Sequence, residues 1–271
     1  MTAVAQLAGV GVRRGHTQIL SDIDWQVDDD QRWVVVGPNG AGKTTLLQIL
    51  AAQLHPTEGL VELLGEFIGA VDVFELRPRI GVASSALARR IPGAEAVRDV
   101  VVSAAWSVLG RWREDYDPLD EARADDLIAR MGLSGLEERT YATLSEGERK
   151  RVEIARALMT DPELLILDEP AAALDLAGRE QLVQVLTDLC ADPEAPATVL
   201  VTHHLEEIPE GITHALVLRS GRIVAAGPVE QVLTSATLSD AFGMPLEVRH
   251  EAGRWSALSR KGGGDGPARE G

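Results

Sequence analysis

Residues 32–50 read RWVVVGPNGAGKTTLLQIL. Arg32–Val36 is the kind of apolar run that is buried on both faces in a parallel sheet. Thr44–Leu54 carries Leu46, Leu47, Leu50 and Leu54 at helical spacing. Between strand and helix, Gly37–Thr44 matches G-x-x-x-x-G-K-[ST] at every fixed position. Glycines let such a loop curl so that successive backbone N–H groups face one phosphate, and the helix behind it adds its positive end. The expected phosphate cradle is therefore Gly37, Pro38, Asn39, Gly40, Ala41, Gly42, Lys43 and Thr44, with Thr45 beside it. Lys43 would reach the β- and γ-phosphates as a point charge. Thr44 would offer its hydroxyl to Mg²⁺.

Two further strands carry polar residues at their C-terminal ends, where open parallel sheets bind ligands. Leu164–Pro170 reads LLILDEP. Asp168 suits a Mg²⁺ shell, and Glu169 suits a general base that polarises an attacking water. Thr198–Thr202 reads TVLVT and is followed by His203 and His204. His203 follows the strand directly and is the better placed to sense a γ-phosphate. A metal pair is disfavoured because strand neighbours point to opposite faces. Ala215–Leu218 and Arg222–Ala225 read as a late hairpin around Ser220–Gly221.

The alternation of strand and helix predicts an α/β fold with a mostly parallel sheet. From 84 to 160 strand signals fade and a helical subdomain is expected, inserted into a core of 1–83 and 161–240. Within it, Asp117–Pro118 starts a helix and Gly132 stops one. Val100–Gly110, uncharged but too short to span a bilayer, reads as a buried helix. Ser145 and Glu148 form a capping box for a helix running to about Met159. Such a box merely starts a helix, yet Ser145 with Gly147 at a helix N-terminus also makes an anion site, and the residues alone leave both readings open. Cys190 allows no intrachain disulfide and falls on a helix with Leu182, Val185, Leu186 and Leu189, as a buried inert thiol. Residues 241–258 read as a C-terminal extension. Residues 259–271, Gly-rich and charged, are expected to be a disordered tail.

Composition narrows the partners. The 271 residues include 26 Lys and Arg against 42 Asp and Glu, a net charge of −16. That balance argues against binding nucleic acid or anionic lipid through a phosphate backbone, though not against one local anion site. No membrane span or secretory signal is read from the sequence, so another chain would have to bring the protein to a membrane.

Taken in order, GPNGAGKTT, LSEGERKR, LLILDEP, AALD and TH resemble the nucleotide-binding subunit of ABC transporters over roughly residues 4–235. The resemblance implies a P-loop NTPase core with an N-terminal antiparallel β element. It makes Leu144–Glu148 the signature motif, Ala172–Asp175 the D-loop and His203 the switch histidine. It further implies a head-to-tail dimer sandwiching two ATP. Ser145 and Gly147 of one copy would complete the site on a second copy or a homologous subunit, and Asp175 of the D-loop is counted among the nucleotide-binding residues. Membrane permease chains would be the other partners, and the location the inner face of the cell membrane. Three positions depart from the family pattern. The signature reads LSEGE rather than LSGGQ, Arg14 stands where an adenine-stacking aromatic is usual, and Ser85 replaces the Q-loop glutamine. The leading expectation is an ATPase subunit of a transporter, of the bacterial importer kind. The alternative is a soluble regulatory ATPase without a permease, which the Ser85 departure supports. A binding module without hydrolysis would require that Glu169 is not the base.

Overall fold

The computed structural model describes residues 2–106, 108–110 and 116–260. Two long antiparallel strands come first, β1 (Ala3–Arg14) and β2 (Thr17–Asp28), then β3 (Arg32–Val36) and helix α1 (Lys43–Leu50). Next are β4 (Glu58–Leu63), β5 (Glu66–Phe67), α2 (Val73–Leu76) and β6 (Ile80–Ser84). The described elements between β6 and β7 (Leu164–Asp168) are helical: α3 (Ser85–Ala88), α4 (Val97–Val102), α5 (Pro118–Arg130) and α6 (Glu146–Leu158), with short 3-10 turns. After β7 come α7 (Leu176–Ala191), β8 (Ala197–Val201), β9 (His214–Arg219) and β10 (Arg222–Pro228). The described chain closes with α8 (Val229–Val232), α9 (Ser235–Phe242), β11 (Leu246–Glu251) and β12 (Arg254–Ser259).

The central sheet runs β10-β9-β3-β8-β7-β6, parallel except for β10 at its edge. Every residue of β3 and of β8 is buried, as expected of strands covered on both faces. The pleat sends alternate residues into two cores. Val34, Val36, Leu165, Leu167 and Leu200 join the helical side. Trp33, Val35, Leu164, Ile166, Val199 and Val201 join the side of α1 and the antiparallel sheet β2-β1-β4-β5. The predicted α/β architecture with a mostly parallel sheet and an N-terminal antiparallel element is thus present.

Boundaries differ where local chemistry intervenes. The expected helix over 44–54 starts at Lys43 and stops at Leu50, because Ala52 turns left-handed with φ 51°. Val100–Gly110 is not one buried helix. α4 begins at Val97 and passes at Ser103 into a 3-10 turn through Trp106, which is 55% exposed. The Ser103 hydroxyl donates to the Val100 carbonyl at 2.9 Å, a local bond that competes with continued helix. The Asp117 cap holds, accepting from the N–H groups of Leu119 and Asp120, and Gly132 with φ 65° follows the end of α5. The β9–β10 hairpin turns on Ser220 and Gly221, both at positive φ. Cys190 lies on α7 and burial pushes its thiol up to about 11. β12 includes Ser259, and 261–271, the rest of the expected tail, lie outside the described residues.

Candidate active site

The loop from β3 to α1 curls around the side chain it precedes. Gly42, with φ 105°, is the cap residue of α1, and a methyl group there would sit 2.6 Å from Leu20 Cδ2. The α1 N-terminus has no side-chain cap and no acidic residue in its first turn. Its leading N–H groups therefore have no partner within the helix. Lys43 is buried, and its Nζ donates to the carbonyls of Gly37 at 2.7 Å and Pro38 at 3.3 Å. Burial pushes its pKa down, against the pull of Glu169 and Asp168. A cleft of about 280 Å³ opens here, lined by Ile19, residues 39–45 and Glu169. Larger hollows beside β6 and at the opposite end of the sheet touch none of these motifs.

β7 and β8 deliver the carboxylates and the histidine. Asp168 ends β7, in register with Val201 on one side and Ser84 on the other. Burial first, then the charge of Glu169, pushes its carboxyl up, while Lys43 and Lys150 pull it down. Glu169 holds a left-handed φ of 49°, a conformation that costs roughly 1–3 kcal/mol and persists only where its surroundings enforce it. Its N–H donates to the Val201 carbonyl at 2.9 Å. Its Oε1 lies 3.2 Å from His203 Nδ1. A carboxylate only accepts, which assigns the proton of that bond to Nδ1. His203 and His204 do not point apart as strand neighbours would. β8 ends at Val201, so the pleat does not reach them, and their ring centroids are 4.1 Å apart.

The Leu144–Glu148 segment lies elsewhere. Ser145 caps α6: its Oγ accepts from the Glu148 N–H at 3.3 Å, and its own N–H donates to Glu148 Oε2 at 2.7 Å. That second bond holds the Glu148 carboxyl below its usual range. Arg149 lies 3.4 Å from Glu146, and Arg139 lies 3.9 Å from Glu148. Gly147 faces Gly178 in the first turn of α7, which Asp175 caps by accepting from the Gly178 N–H at 2.8 Å. None of Ser145, Gly147 and Asp175 lines the cleft at Lys43. The described chain therefore holds two separated constellations.

Of the departing residues, Arg14 donates to Gln48 on α1 at 3.3 Å, at the edge of the loop region. Ser85 opens α3 and is exposed, while Ser84, one residue earlier, pairs beside Asp168. Sequence reasoning missed a buried network on α6. Lys150 Nζ donates to Glu153 at 3.3 Å, and the Tyr141 hydroxyl donates to the same carboxylate at 3.0 Å. In the string EGERKRVE these charges look like a solvated face, and no local signal reveals that Lys150, Arg151 and Glu153 turn inward.

The family model described as "ABC transporter" matches residues 20–172, more than half of the chain. The chain belongs to the ABC transporter family. An uncharacterized ABC transporter ATP-binding protein of Bacillus subtilis, YlmA, is 39% identical over 246 residues, covering 90% of this chain and 93% of that one. The hemin import ATP-binding protein HmuV of Streptomyces coelicolor is 35% identical, covering 90% and 85%. Among solved structures, an ATP-binding cassette of an ABC transporter in its ADP conformation superposes with TM-score 0.75 at 21% identity, covering 89% and 99%. The ABC transporter relatives are named as ATP-binding proteins, importers among them. Among the described residues, no helix is long and apolar enough to cross a membrane.

Proposed function

We propose that this chain is the ATP-hydrolysing subunit of a membrane transporter, acting as a head-to-tail dimer on separate permease chains. The observation that carries the reading is the Glu169–His203 contact of 3.2 Å beside a cleft that also presents Lys43 and the uncapped end of α1. The residues fit a Mg²⁺-nucleotide. The cleft offers a lysine bonded only to carbonyls and a helix end free of acid, and Thr44 and Asp168 would supply oxygen ligands to the metal. Mg²⁺ held there would neutralise charge developing on the β- and γ-phosphates.

The chain's own part in the reaction follows. The loop N–H groups and Lys43 bind and orient the triphosphate. Glu169 takes a proton from the water that attacks the γ-phosphorus, as the bond from that phosphorus to the ADP oxygen breaks. His203 holds the Glu169 carboxylate in place and reaches toward the γ-phosphate. Ser145, Gly147 and Asp175 lie outside the cleft, which suits their action on a partner copy. Relatives named for hemin and cobalamin import favour an importer, working at the inner face of the membrane.

Glu169→Gln tests the reading. General-base catalysis is worth about 10²–10⁴-fold, so phosphate release should fall by that order with ATP binding retained. An ATP-trapped dimer should then elute by size exclusion. Turnover within a few-fold of the parent and no trapped dimer would make Glu169 a structural acid instead. Ser85 at the Q-loop position keeps a second reading in play, a soluble regulatory ATPase. Co-purification with a membrane chain separates the two.

A further inference from the structure

We propose that Arg254, on the C-terminal hairpin, is a positioning residue for hydrolysis: it ties the loop carrying His203 to α7 and so sets the His203–Glu169 contact. The proposal rests on the reading of Glu169 and His203 given above.

The loop after β8 behaves as one unit. Thr202, fully buried, accepts from the His204 N–H at 3.0 Å, and its hydroxyl donates to the Glu207 carboxylate. Leu205 and Ile208 are buried in the helical-side core. A turn closed on itself in this way carries His203 wherever the turn as a whole is held.

The hairpin does that holding. Arg254 opens β12. Its Nη1 donates to Glu180 Oε2 at 2.7 Å, and its Nη2 donates to Glu180 Oε1 at 3.2 Å and to the Glu206 carbonyl at 2.5 Å. Glu180 stands on α7, five residues past the Asp175 cap. Glu206 belongs to the 3-10 turn Leu205–Glu207, directly after the two histidines. One rigid guanidinium therefore joins the helix that follows the D-loop to the turn that follows the switch histidine. A second contact lies at the hairpin tip. Gly253, with φ 73°, packs so closely on Glu210 that a methyl group there would collide with the carboxylate. Trp255, buried in the main core, anchors the hairpin beneath these contacts.

The Arg254 side chain is 34% exposed and that of Glu180 43%, so the fork adds little to global stability. Position is another matter, because a shift of about 1 Å in a group near the reaction costs up to about 100-fold in rate. Such a residue should change turnover without changing nucleotide affinity or the melting point much.

The test uses the full chain, with phosphate release, ATP affinity and thermal midpoint measured for Arg254→Met, His203→Ala and the double variant. Methionine keeps the aliphatic stem and removes the fork. The expected result is a kcat about tenfold lower for Arg254→Met, with affinity within twofold and no further loss when it is added to His203→Ala. Arg254→Lys, which keeps one donor for Glu206, should recover part of the rate, and it serves if the methionine variant does not fold. Unchanged kcat overturns the proposal. So do independent, multiplying losses in the double variant, or a loss that merely tracks affinity or melting point. If His203→Ala itself hydrolyses at the parent rate, the reading of the site has failed and takes this link with it.

Discussion

Two helices of this protein begin at motifs that suit an anion, and they begin in opposite ways. α1 starts at Gly42 with no side-chain cap and no acid in its first turn. α6 starts at Ser145 with both bonds of a capping box made and with Glu146 and Glu148 in the first turn. The first end leaves its N–H groups for a ligand. The second has satisfied part of its own demand, and its carboxylates are attended by Arg139 and Arg149. A phosphate approaching α1 meets Lys43, whereas one approaching α6 must compete with Glu148. In the proposed dimer the α1 site captures ATP, and the α6 site joins only once a partner presents the γ-phosphate.

Removing the cation at the open end should matter most. Lys43→Ala deletes the fixed charge aimed at the triphosphate, so hydrolysis should fall on the order of 10²–10³-fold, with weakened binding of a fluorescent ATP analogue. Unchanged turnover would remove the contrast between the two ends. At the capped end, Ser145→Arg should leave monomer binding of ATP intact and weaken the ATP-dependent dimer about tenfold or more, as for one lost charge-assisted bond of ~1.5–3 kcal/mol. Analytical ultracentrifugation with Glu169→Gln in the background reads this directly. A full dimer would mean that Ser145 does not act on the partner.

The smallest effect concerns Glu148→Gln. The amide keeps an acceptor for the Ser145 N–H but loses the charge, so stability should drop by about 0.3–1 kcal/mol while the ATP-bound dimer tightens a few-fold. The pH dependence has a definite sign. The Glu148 carboxyl is held low in the folded chain by the Ser145 N–H. Its contribution is therefore fully present above the ordinary Glu range and is lost as pH falls through the depressed value. Melting curves of parent and variant should differ at pH 7 and converge as pH falls from the ordinary Glu range through the depressed Glu148 value. A gap that persists in acid would assign the stabilisation to something other than this charge.

Much of this arrangement was legible along the chain because its causes are local. The buried strands, the glycine loop and the Ser145 box each follow from a few neighbouring residues. The misreadings came where a local rule met an unseen boundary. The opposite-faces argument for His203 and His204 assumed a pleat that stops at Val201. The long helix expected over 100–110 ignored the Ser103 back-bond. Attention to Ser85 overlooked Ser84, which sits beside Asp168 through sheet register.

Within the residues themselves lay the phosphate loop, the two carboxylates after LLIL, the capping box and the alternation that makes a parallel sheet, since each depends on backbone geometry over one or two turns. The folded chain alone brought Glu169 to His203 across 34 positions, turned Lys150 and Glu153 inward, and placed Arg254 between Glu180 and Glu206. The first and last of those contacts join segments far apart in sequence, and the burial of Lys150 and Glu153 is set by what packs over α6. Hydrophobic burial and strand register fix them, and neither is written in any single stretch of the chain.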